Sequence, residues 1–260
     1  MSTGARDDVP DRSHYGESLF RPEQAGEGER IDFGALAYDD FTMTRLRALG
    51  AGSGWHCLDV GAGTGTISRR LLKDGGVASV LAVDRDVRFV SERPMPGLEV
   101  LEADVTTPDF VSGQFQLVHA RFVLMHLPER RRLITALAEL VAPGGVLVLS
   151  DAVDLAGDEE PGTPYATAMR AMWQGLRATI GTDVAWVPTY PRLLREGRHV
   201  GAEQSGNDRH GPCGRRGRRR GGPVSGERGV RRVVGRHAHG LGVEDRWRRR
   251  RTRPLPAVIP

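Results

Sequence analysis

The stretch Leu58-Asp59-Val60-Gly61-Ala62-Gly63-Thr64-Gly65 decides how this 260-residue chain is read. An apolar strand runs into three glycines at alternate positions, with an acid two residues before the first. Glycine turns a backbone sharply and lets it approach a ligand with no Cβ in the way. Asp59 then stands at the carboxyl edge of a sheet, where open α/β folds bind nucleotide-like ligands. The spacing is G-x-G-x-G, so the third glycine falls one place short of the dinucleotide fingerprint G-x-G-x-x-G. In that fingerprint a pyrophosphate sits on the helix N-terminus, and a fixed acid just before the glycines would repel it. An acid at Asp59 suits a cationic ligand instead.

On either side of this loop, short apolar runs alternate with helical spacing. Residues 55–60 form the first strand, and Ile67 and Leu71, with Leu72 beside them, mark a helix closed by Gly75-Gly76. Further apolar runs occupy residues 79–83, ending in Asp84, residues 98–101, ending near Asp104, residues 115–120, and residues 146–149 after the turn Pro143-Gly144-Gly145. Leu133, Leu137, Leu140 and Val141 recur at i, i+4, i+7 and i+8 between the last two. The alternation predicts an α/β fold, a mostly parallel sheet with helices on both faces. Upstream, Asp39 or Asp40 can cap a helix carrying Phe41, Leu46 and Leu49, with order beginning near Ile31. Residues 1–35 therefore read as a flexible lead-in and residues 36–203 as one domain. Residues 151–162 read as loop, and Thr163-Pro164 opens a helix with Tyr165, Met169, Met172, Trp173, Leu176 and Ile180 at helical spacing. That stripe reads first as core, although methionine and aromatic side chains also adapt to varied apolar ligands, which assigns residues 151–190 to the substrate side.

The formal charge of +4 hides two unlike parts. Residues 204–260 carry 16 Arg against four acids, a net +12, which leaves residues 1–203 at −8. Lys73 is the only lysine, a bias that GC-rich coding DNA produces. In the tail, Leu, Ile, Val and Phe supply 9 of 57 residues, below what normally buries a core. The expectation is an Arg/Gly-rich tail, disordered or read out of frame, with no strand longer than a few residues. Two cysteines, Cys57 and Cys213, exclude a disulfide framework and a four-thiolate metal site, and no metal is expected. No run of eighteen apolar residues occurs and residues 1–10 are polar and acidic, which argues against a membrane span and a secretory signal and for a cytoplasmic location.

Asp84 lies nineteen residues beyond Gly65, where an acid can accept both ribose hydroxyls of an adenosine. Asp104, after the third strand, is placed to accept from an adenine amino group. Three consecutive strand ends thus each offer an acid. With Ala82-Val83-Asp84, Glu102-Ala103-Asp104-Val105, Leu140-Val141-Ala142-Pro143-Gly144-Gly145-Val146-Leu147-Val148 and His119-Ala120-Arg121-Phe122-Val123-Leu124-Met125-His126-Leu127-Pro128, residues 36–200 resemble the class I S-adenosylmethionine-dependent methyltransferases, most of all the small-molecule enzymes of actinobacterial secondary metabolism. The resemblance implies a Rossmann-like methyltransferase sheet and S-adenosylmethionine, with its sulfonium and ammonium, as cofactor. The backbone of Gly61, Ala62, Gly63 and Gly65 would line the methionine part, with Asp59 holding the ammonium directly or through water and Ala120 facing the same group. Asp84 would hold the ribose, and Asp104 and Val105 the adenine. Such enzymes normally finish with a helix and an antiparallel pair of strands. Here at most a start is legible, at Val200-Gly201-Ala202-Glu203, so the C-terminal strands read as missing or replaced.

Methyl transfer of this kind is an in-line displacement, in which positioning and desolvation do much of the work. His119 and His126 are the candidates for a base that deprotonates an oxygen or nitrogen nucleophile. Each also has a plainer role, His119 as a strand contact and His126 as a helix residue bonded to backbone. Arg121 could orient an acidic substrate or pair with a nearby acid. The implied function is transfer to a small-molecule, natural-product acceptor, with a homodimer left open. Two alternatives stand beside it. Residues 214–222 and 248–251 could grip phosphates, although Trp247 is the tail's only aromatic and base stacking is scarcely available. The chain could also bind the cofactor without turnover.

Overall fold

A computed structural model of the protein describes residues 15–154, 162–196, 202–206 and 231–238. Among the described residues, seven strands form one sheet: β1 His56–Val60, β2 Ser79–Asp84, β3 Leu98–Glu102, β4 Phe115–Arg121, β5 Val141–Val153, β6 Ala202–Gly206 and β7 Arg231–Ala238. They lie in the order β3-β2-β1-β4-β5-β7-β6. Every neighbouring pair is parallel.

The strands around β1 are almost continuously apolar because helices cover both faces of a parallel sheet. Leu58, Val60, Val118, Leu147 and Leu149 pack on one face against Leu133 and Leu137 of α4 (Arg130–Glu139) and Tyr190 and Leu194 near the C-terminal end of the domain. The alternate residues Cys57, Val80, Leu117, Val146 and Val148 face the other way, onto Met43 and Leu46, Ile67 and Leu71. Strand order reverses between β1 and β4, which opens a crevice at their carboxyl ends, the usual ligand position in such sheets.

The helix before β1 differs from expectation. Helix α1 spans Glu27–Ala48, so Asp39 and Asp40 lie in its middle and Gly26 precedes its first turn. Its start was hidden because Phe33 and Leu36 are exposed while Glu27, Asp39 and Thr42 are buried, the reverse of the pattern that hydrophobic periodicity detects. Of the expected lead-in, residues 15–35 are therefore described structure, and residues 1–14 lie outside the described residues.

Helix α2 (Thr66–Arg70) follows the glycine loop, and its continuation Leu71–Gly75 widens to π geometry. A short helix α3 (Arg88–Ser91) follows β2. Helix α4 stops at Glu139, and Val141 opens β5 instead of closing the helix. The expected turn at Pro143-Gly144-Gly145 is an irregularity inside β5, whose register against β4 shifts between Phe115 and Leu117. A Cβ on Gly145 would lie 2.8 Å from the Gln116 carbonyl oxygen, so glycine permits that approach. Helix α5 (Pro164–Ile180) starts as its cap signals predict, with Thr163 Oγ1 accepting from the Ala166 N–H at 3.1 Å. Its buried side is Ala166, Trp173 and Ile180, and Met172 points outward at 41% exposure. Helix α6 is Tyr190–Glu196.

Strand β7 corrects the expectation that the tail forms no strand longer than a few residues. Its eight residues pair with β5 from Val146↔Arg231 to Val153↔Ala238, and β6 pairs beyond it. The final strands are thus replaced by parallel ones, and backbone partners satisfy an edge that β5 would otherwise expose. The arginine runs at 214–222 and 248–251, Cys213 and Trp247 lie outside the described residues.

Candidate functional site

At the end of β1 the chain turns through Gly61, Gly63 and Gly65, with φ of 66°, 57° and 73°. These left-handed values strain any residue with a Cβ, and space is as restrictive as conformation. A Cβ on Gly61 would collide with Val123 Cγ2, and one on Gly65 would lie 2.6 Å from Val90 Cγ2. The Gly61 N–H donates to the Val83 carbonyl at 2.8 Å, which draws the loop onto β2.

Asp84 completes that attachment. Its Oδ2 accepts from the Gly63 N–H at 2.8 Å and its Oδ1 from the Asp86 N–H at 3.2 Å. Burial raises its carboxyl above the ordinary range, while the bond from Gly63 pulls the other way. Asp104 is exposed beyond β3, where Oδ1 accepts from the Thr106 N–H and hydroxyl at 2.8 and 2.7 Å. Val105, next to it, is half-buried against the core. Ala120 is buried near the end of β4 and pairs with Val60 in register.

Asp59 is not at the cleft surface. It is 3% exposed, with Ser68 Oγ donating to Oδ2 at 2.5 Å and His119 Nδ1 donating to Oδ1 at 2.8 Å. Asp59 thus ties β1 to α2 and β4 beneath the glycine loop, and direct contact with a ligand ammonium is not what this geometry provides. His119 is enclosed in the same way: it is 1% exposed, with its Nδ1 bound to Asp59. Cys57 is equally shielded, its thiol pushed up to about 12 by burial.

His126 lies apart from His119, in a helical turn Leu124–His126 after β4. Its Nδ1 is 2.8 Å from the Thr182 hydroxyl, and its ring stands 4.5 Å from that of Tyr15. Burial, reinforced by the charges of Arg30 and Arg130, lowers it to about 4, so the imidazole is neutral near pH 7. Arg121 pairs with buried Asp39 at 2.7 Å and with the Thr42 hydroxyl at 3.0 Å, the second of its two expected roles.

Several residues of the site carried no motif. Ser68 is one, though a fully buried serine between Ile67 and Leu71 needs a polar partner, which was its only signal. The segment 15–31 also closes over the strand ends. Ile31 Cγ2 is 3.3 Å from where a Gly63 Cβ would stand, the Gly28 position abuts the Phe89 ring, and Arg85 donates to the Tyr15 carbonyl. Arg88 pairs with Glu23 at 2.9 Å across the same seam.

A zwitterionic nucleoside ligand fits these residues. The loop is a cradle that added Cβ atoms would fill, and buried Thr64 Oγ1 and Asp32 Oδ1 beside it have no protein partner among the described residues. Among the described residues, no group of three His, Cys, Asp or Glu could hold a metal ion, and no helix is long and apolar enough to cross a membrane.

Residues 58–149 match a family described as a methyltransferase domain. Over 127 residues the chain is 35% identical to methyltransferase str3 of Strobilurus tenacellus, covering 48% of this chain and 45% of that protein. Over 108 residues it is 34% identical to demethylmenaquinone methyltransferase of Beutenbergia cavernae, covering 41% and 44%. The chain therefore spans less than half the length of these relatives. A chain from a complex between a Haloferax volcanii methyltransferase activator and a methyltransferase has a TM-score of 0.53 at 12% identity, over 66% of this chain and 72% of that one, a likeness of fold.

Proposed function

We propose that this chain, whose residues 58–149 match a methyltransferase domain, is a class I S-adenosylmethionine-dependent methyltransferase that transfers a methyl group to a small-molecule acceptor, at oxygen or nitrogen. The observation that carries it is the glycine loop locked onto Asp84 through the Gly63 N–H at 2.8 Å. That bond holds a close-approach backbone at the end of β1 and a carboxylate suited to a ribose at the end of β2 side by side, next to the strand-order reversal. Names of relatives support the acceptor class: demethylmenaquinone, trans-aconitate and phosphoethanolamine are all small molecules.

In this reading the Gly61–Gly65 backbone lines the methionine end, Asp84 accepts from the ribose hydroxyls, Asp104 and Val105 border the adenine, and Ala120 backs the methionine end. Asp59 acts as a positioning residue through Ser68 and His119. When bound, S-adenosylmethionine supplies an electrophilic methyl on a good leaving group. The protein's contribution is orientation and exclusion of water by the segment 15–31. His126, neutral near pH 7, is kept as the candidate to take an acceptor proton.

The acceptor class is tested by incubating the full chain with S-adenosylmethionine and fractions of a native cell extract. Formation of S-adenosylhomocysteine is expected with the dialysable fraction. Formation only with the retained RNA or protein fraction would overturn the small-molecule assignment.

A further inference from the structure

Aromatic side chains from three separate elements meet where β4 leaves the sheet. Phe122 is the first residue beyond β4, and its N–H donates to the Ser150 carbonyl of β5 at 2.8 Å. Its φ is +58°, a left-handed value that strains a bulky residue and that glycine adopts freely. The next residue, Val123, is fixed by its N–H to Asp151 Oδ1 at 3.0 Å, and its side chain fills the space that a Gly61 Cβ would need. Phe122 thus precedes a residue packed on the glycine loop, at the reversal of strand order between β1 and β4. Backbone strain of this kind persists where the surroundings over-determine it, and it clusters at ligand sites.

The Phe122 ring is half-buried, packed against the core and met edge-on by Tyr38 of α1 at 5.3 Å between ring centres. Burial raises the Tyr38 phenol, Arg121 pulls it back and Tyr165 adds to the rise, so Tyr165 in the first turn of α5 is felt at the same place. Tyr38 and Tyr165 are half-buried as well. Charge along this wall is balanced. The Arg121 guanidinium, 5.8 Å from the Phe122 ring centre, is paired with Asp39 at 2.7 Å and the Thr42 hydroxyl at 3.0 Å. Cation and acid offset each other, so selection here falls to ring shape and apolar contact, with no net attraction for an acidic acceptor.

We propose that Phe122, Tyr38 and Tyr165 form the wall against which the acceptor rests, and that the acceptor is an uncharged aromatic ring bearing the oxygen or nitrogen to be methylated. The proposal rests on the methyltransferase reading above and narrows its small-molecule class.

Naphthol serves as the planar neutral probe, decahydronaphthol as its saturated counterpart and naphthoate as its charged one. Each is titrated calorimetrically into the full chain saturated with S-adenosylhomocysteine, for wild type, Phe122→Gly and Tyr38→Leu. Phe122→Gly removes the ring and suits the left-handed backbone, so it is expected to stay folded and to keep its affinity for S-adenosylhomocysteine within about twofold. Wild type is expected to bind naphthol roughly 3- to 10-fold more tightly than either other probe, the contribution of one aromatic pair. Both variants are expected to lose that preference, Tyr38→Leu while keeping apolar volume at its position. Equal affinity for the three probes in wild type, no binding of naphthol, or an undiminished preference in either folded variant overturns the aromatic wall alone. Failure of folded wild type to bind S-adenosylhomocysteine overturns the methyltransferase reading and this proposal with it.

Discussion

Gly63 and Asp84 show how one bond can serve two purposes. The Gly63 N–H that fixes the loop is received at 2.8 Å by the carboxylate proposed to accept from a ribose, so in that reading one side chain holds both loop and ligand. Asp84→Ala is accordingly expected to weaken S-adenosylhomocysteine by about 2 kcal/mol, roughly 30-fold in Kd, with the fold retained. Unchanged affinity in a folded variant would remove Asp84 from the site. The glycines and Asp84 were legible in the sequence because their spacing encodes a local backbone path. The role of Asp59 was not, since its partners Ser68 and His119 are nine and sixty residues away and only the parallel register brings them together. His119 looked available for the same reason: an alternating strand position does not say which helices cover it.

Asp151 joins β5 to α6 and to the turn that follows β4. It lies in β5 at 1% exposure, accepting from the Tyr190 hydroxyl of α6 at 2.6 Å and from the Val123 N–H at 3.0 Å. Burial raises its carboxyl to about 6 from an ordinary 3.8, against the pull of those two hydrogen bonds. The folded state therefore binds a proton that the unfolded chain has released between these values. The resulting stability is fully present below pH 3.8 and lost as pH rises through 6, about 3 kcal/mol for a two-unit shift. His126 has the opposite slope. Its pKa is depressed to about 4 from 6.5, so its contribution is present above 6.5 and lost as pH falls through 4. The two offset each other in wild type. Asp151→Asn is expected to leave His126 unopposed, so that the urea midpoint falls more steeply between pH 7 and pH 4 than in wild type. Parallel curves would contradict the burial assigned to Asp151. At this scale, α4 and α5 were readable from apolar spacing and the Thr163-Pro164 cap. The start of α1 was not, because its buried face is polar and finds its partners, such as Arg121 for Asp39, only in the folded molecule.

The molecule as a whole is a parallel sheet; that β1 to β5 pair in parallel with helices between them was legible as alternation in the sequence, while their order, β3-β2-β1-β4-β5, is seen only in the fold. Beyond β5 the sequence offered arginine and glycine in place of an alternating strand pattern, yet β7 pairs along eight residues of β5 and β6 pairs outside it. Backbone hydrogen bonding can recruit a segment that composition would not nominate, because an edge strand accepts any extended chain. The segment 15–31 is the other feature that only the fold reveals. Its Tyr15, Gly28 and Ile31 meet His126, Phe89 and the Gly63 position, contacts that no local pattern announces. The proposed activity depends on these parts forming one site for a zwitterionic nucleoside. The most direct test is calorimetric titration of the full chain with S-adenosylhomocysteine. Saturable binding at one ligand per chain is expected, and a folded sample that gives no saturable heat would contradict the assignment.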